Sequence, residues 1–137
     1  MKIRHLSDSY AASPQIQPKD VKILAEQGFT AIINHRPDGE KWGQPKSEAI
    51  AAAAKEAGLD YFYIPISLRG LAPGQVEECM AAQAKTTGKI LAFCNTGIRV
   101  ANLWGLSQAK QLSADEIIKA GTNAGYNLNG LRGFLGQ

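Results

Sequence analysis

Short apolar runs alternate with longer amphipathic stretches along most of this chain. The short runs have the composition of strands, and the longer stretches repeat their apolar residues at helical spacing. The strand-like runs cover residues 3–5, 9–12, 30–34, 60–67 and 89–93, and the helical stretches cover 18–28, 46–58 and 73–88. Strands that alternate with helices predict an α/β domain with a mainly parallel central sheet flanked by helices.

The chain beyond residue 94 is predicted to be helical almost to its end. Ser113 and Glu116 have the spacing of a capping box before an apolar pair, which indicates the start of a helix. Five glycines are expected to divide the last part into short helices and turns: Gly121, Gly125, Gly130, Gly133 and Gly136. We therefore expect an α-rich C-terminal region.

The length of 137 residues, 45% of them hydrophobic, suits one compact domain with a buried core. No repeat, linker or low-complexity segment interrupts the chain, so a single domain over residues 1–137 is expected. No apolar run has transmembrane length, and the N-terminus lacks the apolar stretch of a signal peptide. These features predict a cytoplasmic protein with no membrane partner, and they leave its oligomeric state open.

The formal net charge of +3 is spread along the chain and forms no basic stripe interleaved with aromatic residues. Nucleic acid is therefore not an expected partner, whereas a small anion is compatible with this charge. The two cysteines have no metal-ligand spacing, so neither a metal ion nor another cofactor is expected.

One cysteine is predicted to lie where a strand passes into a helix. Cys94 follows the strand-like run 89–93, and apolar residues at helical spacing begin after Ile98. The first N–H groups of a helix have no partner within it and bind anions, a thiolate among them. Arg99 adds a guanidinium whose fork matches two oxygens of a phosphate. An anion-binding loop is therefore predicted around a cysteine nucleophile, formed by Asn95, Thr96, Gly97 and Ile98.

A free cysteine often only fills space in a core, and this alternative applies to both cysteines. We expect it for Cys79, which shares one predicted helical face with Val76 and Met80. For Cys94, the polar residues and the arginine that follow it favour a functional role. Trp104, on the helix after the loop, is expected to pack in the core.

Two further loops are predicted to lie beside Cys94. Residues 34–40 and 67–73 follow two other strands, and ligands of open α/β sheets bind at the carboxyl ends of the strands. The side chains in these loops best suited to a site are Arg36, Asp38, Glu40, Ser67 and Arg69. A structural role is the alternative for each, since Pro37-Asp38-Gly39 is also a turn sequence.

Segments 34–40, 94–104 and 124–132 together resemble the phosphatase-like domain of bacterial beta-lactamase hydrolase-like proteins. The resemblance extends over nearly the whole chain and implies the fold of a small tyrosine or dual-specificity phosphatase. Members of that family are labelled as phosphatases or as sulfurtransferases. The resemblance thus implies that Cys94 is a nucleophile and that Arg99 and the loop bind the reacting group.

The chain departs from tyrosine phosphatases at several positions. Four residues separate Cys94 from Arg99 instead of five, which is similar to the loop of rhodaneses. Three apolar residues stand where a histidine, a hydroxyl residue and an aspartic acid are usual: Phe93, Val100 and Leu68. Because no obvious group then protonates the leaving oxygen, Asp38 or Glu40 is a candidate general acid.

Three functions are compatible with these observations. We predict hydrolysis of phosphate monoesters through a phosphocysteine intermediate at Cys94. One alternative is a rhodanese-type sulfurtransferase that holds a persulfide on Cys94, which needs no general acid. The other alternative is an inactive module that binds an anion or a partner.

Overall fold

The central sheet has the mainly parallel arrangement that the sequence predicts. A computed structural model describes residues 1–135, so Gly136 lies outside the described residues. The strands in this range are β1 (Arg4–His5), β2 (Tyr10–Ser13), β3 (Phe29–Asn34), β4 (Asp60–Tyr63) and β5 (Lys89–Phe93). Their spatial order is β1-β2-β5-β3-β4, with β1 antiparallel to β2 and the other neighbours parallel.

Helices cover both faces of this sheet. They are α1 (Pro18–Glu26), α2 (Ser47–Ala57), α3 (Gln75–Ala84), α4 (Ile98–Ser107) and α5 (Ala114–Ala124), followed by a 3₁₀ helix (Asn129–Phe134). The predicted capping box is present, because the Glu116 N–H donates to Ser113 Oγ and the Ser113 N–H donates to Glu116 Oε1. The expected α-rich C-terminal region is confirmed. Across residues 1–135 no helix has both the length and the apolar character needed to cross a membrane.

The strand predicted over residues 60–67 is shorter in the structure and ends at Tyr63. Pro65 has no N–H to give to the neighbouring strand, so the regular ladder cannot continue through it. The chain nevertheless stays against β3, because the Ile66 N–H donates to the His35 carbonyl at 2.8 Å. This irregular continuation holds the following loop beside the end of the sheet.

The helix predicted over residues 73–88 is also shorter, since α3 begins at Gln75 and ends at Ala84. Gly74 precedes it in a left-handed conformation with φ of +85°, which a helix cannot include. At the other end, the Thr86 hydroxyl donates to the Ala82 carbonyl at 3.0 Å. A side-chain bond thus takes up a carbonyl of the last helical turn.

The two faces of the sheet form separate hydrophobic clusters, and β5 contributes to both. Leu91 and Phe93 pack on the side of α1 and α2. Ala92 and Cys94 belong to the other cluster, with residues of α3, α4 and α5. This alternation places the Cys94 side chain on the α4 side of the sheet, where the loop after β5 turns into that helix.

Candidate active site

The loop after β5 joins Cys94 to the N-terminus of α4, at the strand-to-helix junction that the sequence predicts. Gly97 is the N-cap of α4 and has φ of +98°, a conformation that favours glycine. Its N–H donates to Cys94 Sγ at 3.0 Å. The Cys94 residue itself is fully buried, with 0% exposure. A main-chain donor of the helix N-terminus is therefore directed at the sulfur.

The Arg99 side chain joins three loops. Its Nη1 donates to Glu40 Oε2 at 2.6 Å and to the Ile66 carbonyl at 2.8 Å, and its Nη2 donates to Glu40 Oε1 at 2.8 Å. The pKa of Arg99 is raised, first by the hydrogen bond with Glu40 and further by the charge of Cys94. The loops after β3, β4 and β5 thus meet at one guanidinium, as the strand-end rule predicts.

Glu40 forms a second ion pair, which continues into a network. Arg36 Nε donates to Glu40 Oε1 at 3.0 Å, and Arg36 Nη1 donates to Gln15 Oε1 at 3.0 Å. The Gln15 N–H in turn donates to the Asn95 carbonyl at 3.2 Å, which brings the network back to the Cys94 loop. Arg36 therefore supports the site and is almost fully buried while doing so.

The charge state of Glu40 does not fit its predicted alternative role as general acid. Its pKa is lowered, first by the hydrogen bond with Arg99, and the bond with Arg36 lowers it further. A carboxylate that stays ionised has no proton to give to a leaving group. Glu40 instead holds Arg99 in place through both oxygens.

The other predicted site residues are exposed on the surface of the molecule. Asp38 is exposed, and its Oδ1 accepts the Ser47 N–H at 2.7 Å, in the first turn of α2. Arg69 is also exposed, and its N–H donates to Ser67 Oγ at 3.1 Å. The side chains of the loop residues Asn95, Thr96 and Ile98 are open to solvent. Catalysis by Asp38 and substrate binding by Arg69 stay predictions.

His35 is a site neighbour whose setting the sequence did not reveal. It follows β3 directly, is fully buried, and its N–H donates to the carbonyl of Phe93, the residue before Cys94. Its Nδ1 bonds the Ile64 carbonyl at 2.8 Å, while Nε2 is buried without a partner. The pKa of His35 is lowered to about 4, chiefly by burial and also by the charge of Arg99, although the bond to the Ile64 carbonyl opposes this shift. The ring is thus neutral at physiological pH.

Tyr126 packs against Gly97 of the loop after β5. Its hydroxyl is buried without a partner, and a Cβ built on Gly97 would overlap that hydroxyl. Burial raises the pKa of Tyr126, Arg4 lowers it, and the charge of Cys94 raises it. The sequence signal for this residue was only its place in segment 124–132, which carries the family resemblance.

Two expectations for core residues are confirmed. Cys79 is buried and makes bonds to Tyr10 and Gln83, remote from the loop. Trp104 is likewise buried against the cluster beneath α4. Within the described part of the chain, no three His, Cys, Asp or Glu side chains are grouped as metal ligands would be.

The fold places the chain in the class of tyrosine and dual-specificity phosphatase folds. The catalytic core of the PP-IP phosphatase SIW14 from S. cerevisiae, solved in complex with citrate, aligns with a TM-score of 0.69. The alignment covers 98% of this chain and 83% of that one at 17% identity, a level at which only the fold is comparable.

Proteins with higher sequence identity show the family to which the chain belongs. The family model for the phosphatase-like domain of beta-lactamase hydrolase-like proteins matches residues 2–111, and the chain belongs to this family. A beta-lactamase hydrolase-like protein of Xylella fastidiosa is 33% identical over 130 residues, which are 93% of this chain but 30% of the relative. The chain thus spans less than a third of that relative's length.

One solved structure is similar to this chain over nearly its whole length. A candidate phosphatase from Neisseria meningitidis aligns with a TM-score of 0.84 and 33% identity. The alignment covers 98% of this chain and 96% of that one. The similarity therefore includes the C-terminal helices as well as the sheet.

Proposed function

We propose that this domain hydrolyses phosphate monoesters with Cys94 as the nucleophile. In the first step the thiolate attacks phosphorus in line, so that the S–P bond forms and the P–O bond to the leaving group breaks. The leaving oxygen takes up a proton from Asp38, the candidate general acid, which regains a proton from the attacking water of the second step. In the second step water attacks phosphorus, the S–P bond breaks, and inorganic phosphate and the free thiolate are released.

The observation that carries this proposal is the Gly97 N–H that donates to Cys94 Sγ at 3.0 Å, beside an Arg99 guanidinium whose pKa the charge of Cys94 helps to raise. Three of the five Arg99 N–H groups bond Glu40 and Ile66 within the described residues. Nε and the second hydrogen of Nη2 are left, and they can bind two phosphate oxygens side by side. Glu40 would thus orient Arg99 without occupying its phosphate-binding edge.

Hydrolysis of phenyl phosphate by matched arginine variants tests this proposal. Arg99→Ala should lower kcat/KM by about 10²- to 10³-fold, because it removes a donor to the charge that develops in the transition state. Cys94→Ser should abolish turnover. Arg132→Ala is the control, since Arg132 pairs with Asp115 on the exposed surface away from the loop. Wild-type turnover in Arg99→Ala would refute the proposed role.

Sulfur transfer is the second candidate, and the four-residue loop favours it. The Cys94 thiolate attacks the outer sulfur of thiosulfate, so that the S–S bond of thiosulfate breaks, sulfite leaves and a persulfide remains on Cys94. This step needs no general acid, and the Glu40 and Asp38 carboxylates are both engaged in other bonds. Transfer of sulfur from thiosulfate to cyanide, measured beside phosphate hydrolysis, separates the two reactions. Failure in both assays, with inorganic phosphate still bound, would favour an inactive anion-binding module.

The substrate is proposed to be a small anion or a phosphorylated compound. The net charge of +3 and the Arg99 edge beside Cys94 support an anionic ligand, and the citrate in the yeast structure is itself an anion. The activity of the longer beta-lactamase hydrolase-like relatives extends to this chain only as a proposal. A cytoplasmic location likewise stays a prediction.

A further inference from the structure

A cleft of about 470 Å³ opens beside Arg99. One wall is the loop after β4, with Leu68 and Leu71, and the opposite wall is α4 together with the 3₁₀ helix. Leu106 and Phe134 contribute side chains to the second wall. The cleft therefore shares Arg99 with the proposed phosphate site.

The lining of this cleft is mainly apolar. Leu68 is 78% exposed and Phe134 is 77% exposed, although both are large hydrophobic side chains. Arg99 is the charged residue among those that line the cleft in the described part of the chain. Adjacent apolar side chains that remain in water, close to a functional group, are typical of a binding site whose ligand would cover them.

We propose that this cleft binds the apolar organic group of a phosphate monoester whose phosphate lies against the Cys94 loop. This inference rests on the proposed function, because it needs the phosphate at Arg99. The volume lies within the range of small-ligand pockets and accommodates an aromatic ring with a short alkyl chain. A second phosphate on the substrate would lie mainly against leucine side chains, with no second cation among the described lining residues, which is unfavourable. The substrates are therefore uncharged and apolar beyond a single phosphate.

The experiment measures binding of methyl-, ethyl-, propyl- and butylphosphonate to the wild-type chain by calorimetry. The P–C bond of a phosphonate is not hydrolysed, so affinity is read without turnover. Each methylene that is fully buried improves binding about fourfold. In an open cleft we expect roughly half of that per methylene, and hence a Kd about tenfold lower for butyl- than for methylphosphonate.

Two exposed residues of the cleft provide the variants. Leu68→Ser and Phe134→Ser should remove most of the dependence on chain length while methylphosphonate binds as before. Trp42→Ser is the matched control, since Trp42 is 98% exposed and lies outside the lining. Its dependence on chain length should equal that of the wild type.

The outcomes separate this inference from the proposed function. Equal Kd values across the series, the same chain-length dependence in all variants, or no binding of any phosphonate would each overturn the cleft assignment. Failure to hydrolyse phenyl phosphate would overturn the proposed function. If affinity still rose with chain length in the wild type and not in Leu68→Ser, the cleft would remain a binding site for an apolar phosphate compound.

Discussion

Asp38 has two possible roles that can be separated at the level of one residue. Its Oδ1 accepts the Ser47 N–H at the start of α2, and its own N–H donates to Tyr63 Oη. The first bond stabilises α2, since a carboxylate near a helix N-terminus is favourable. The second bond joins the loop after β3 to the end of β4. A general acid would in addition have to give a proton to the leaving group.

Asp38→Asn distinguishes these roles, because asparagine keeps the oxygen that accepts the Ser47 N–H. If Asp38 is the general acid, kcat for phenyl phosphate should fall about 100-fold. Turnover of 4-nitrophenyl phosphate should fall much less, since its leaving group departs without a proton. Steady-state kinetics on the two esters measure this difference. An equal, small effect on both would leave Asp38 with its helix-capping role alone.

His35 makes folding sensitive to mild acid. Its pKa is lowered to about 4 in the folded chain, chiefly by burial, from 6.5 when unfolded. Protons therefore bind the unfolded state more readily, and stability is complete above pH 6.5 and is lost as the pH falls towards 4. The loss amounts to about 3 kcal/mol over this range.

Urea unfolding of His35→Asn between pH 7 and pH 4 tests this effect. The variant should lose most of the pH dependence above about pH 5.5, where the carboxylates of the unfolded chain are still ionised. His5→Asn is the control, because His5 is exposed. An unchanged dependence in His35→Asn would contradict the assignment to this ring.

At the scale of elements, α4 and α3 begin in the same way but with different surroundings. Gly97 and Gly74 are both N-caps in the left-handed region, with φ of +98° and +85°. A Cβ on Gly74 would meet nothing within 4 Å, whereas one on Gly97 would overlap the Tyr126 hydroxyl. The start of α4 is therefore fixed by packing as well as by conformation.

Alanine at these two positions separates the two contributions. Gly74→Ala should lower the free energy of unfolding by about 1 kcal/mol, which is the cost of the left-handed conformation. Gly97→Ala should lower it by about 3 kcal/mol, because Tyr126 or the loop must also shift. Urea denaturation measures both values. Equal losses would mean that the contact with Tyr126 does not constrain the loop.

At the scale of the whole molecule, the sheet places β5 between β2 and β3. Cys94 therefore follows a strand with a hydrogen-bonded neighbour on each side, and the loops after β3 and β4 reach the same edge. Arg99 unites them through Glu40 and the Ile66 carbonyl. The ion pair joins residues 59 positions apart, so the site exists only once the sheet has formed.

This distance explains which features the sequence could predict. The alternation of strands and helices is local, and so is the junction at Cys94, and both were predicted. The end of β4 at Tyr63 was missed although Pro65 was visible, since apolar residues continue beyond it. The ion pairs of Glu40 and the contact of Tyr126 with Gly97 depend on packing between distant segments, which periodicity does not encode.

The complete burial of Cys94 has a consequence for access to its sulfur. A reagent that reaches the thiol therefore needs an entrance between the groups that surround it. Labelling by thiol reagents of increasing bulk would then report how far and how often this entrance opens.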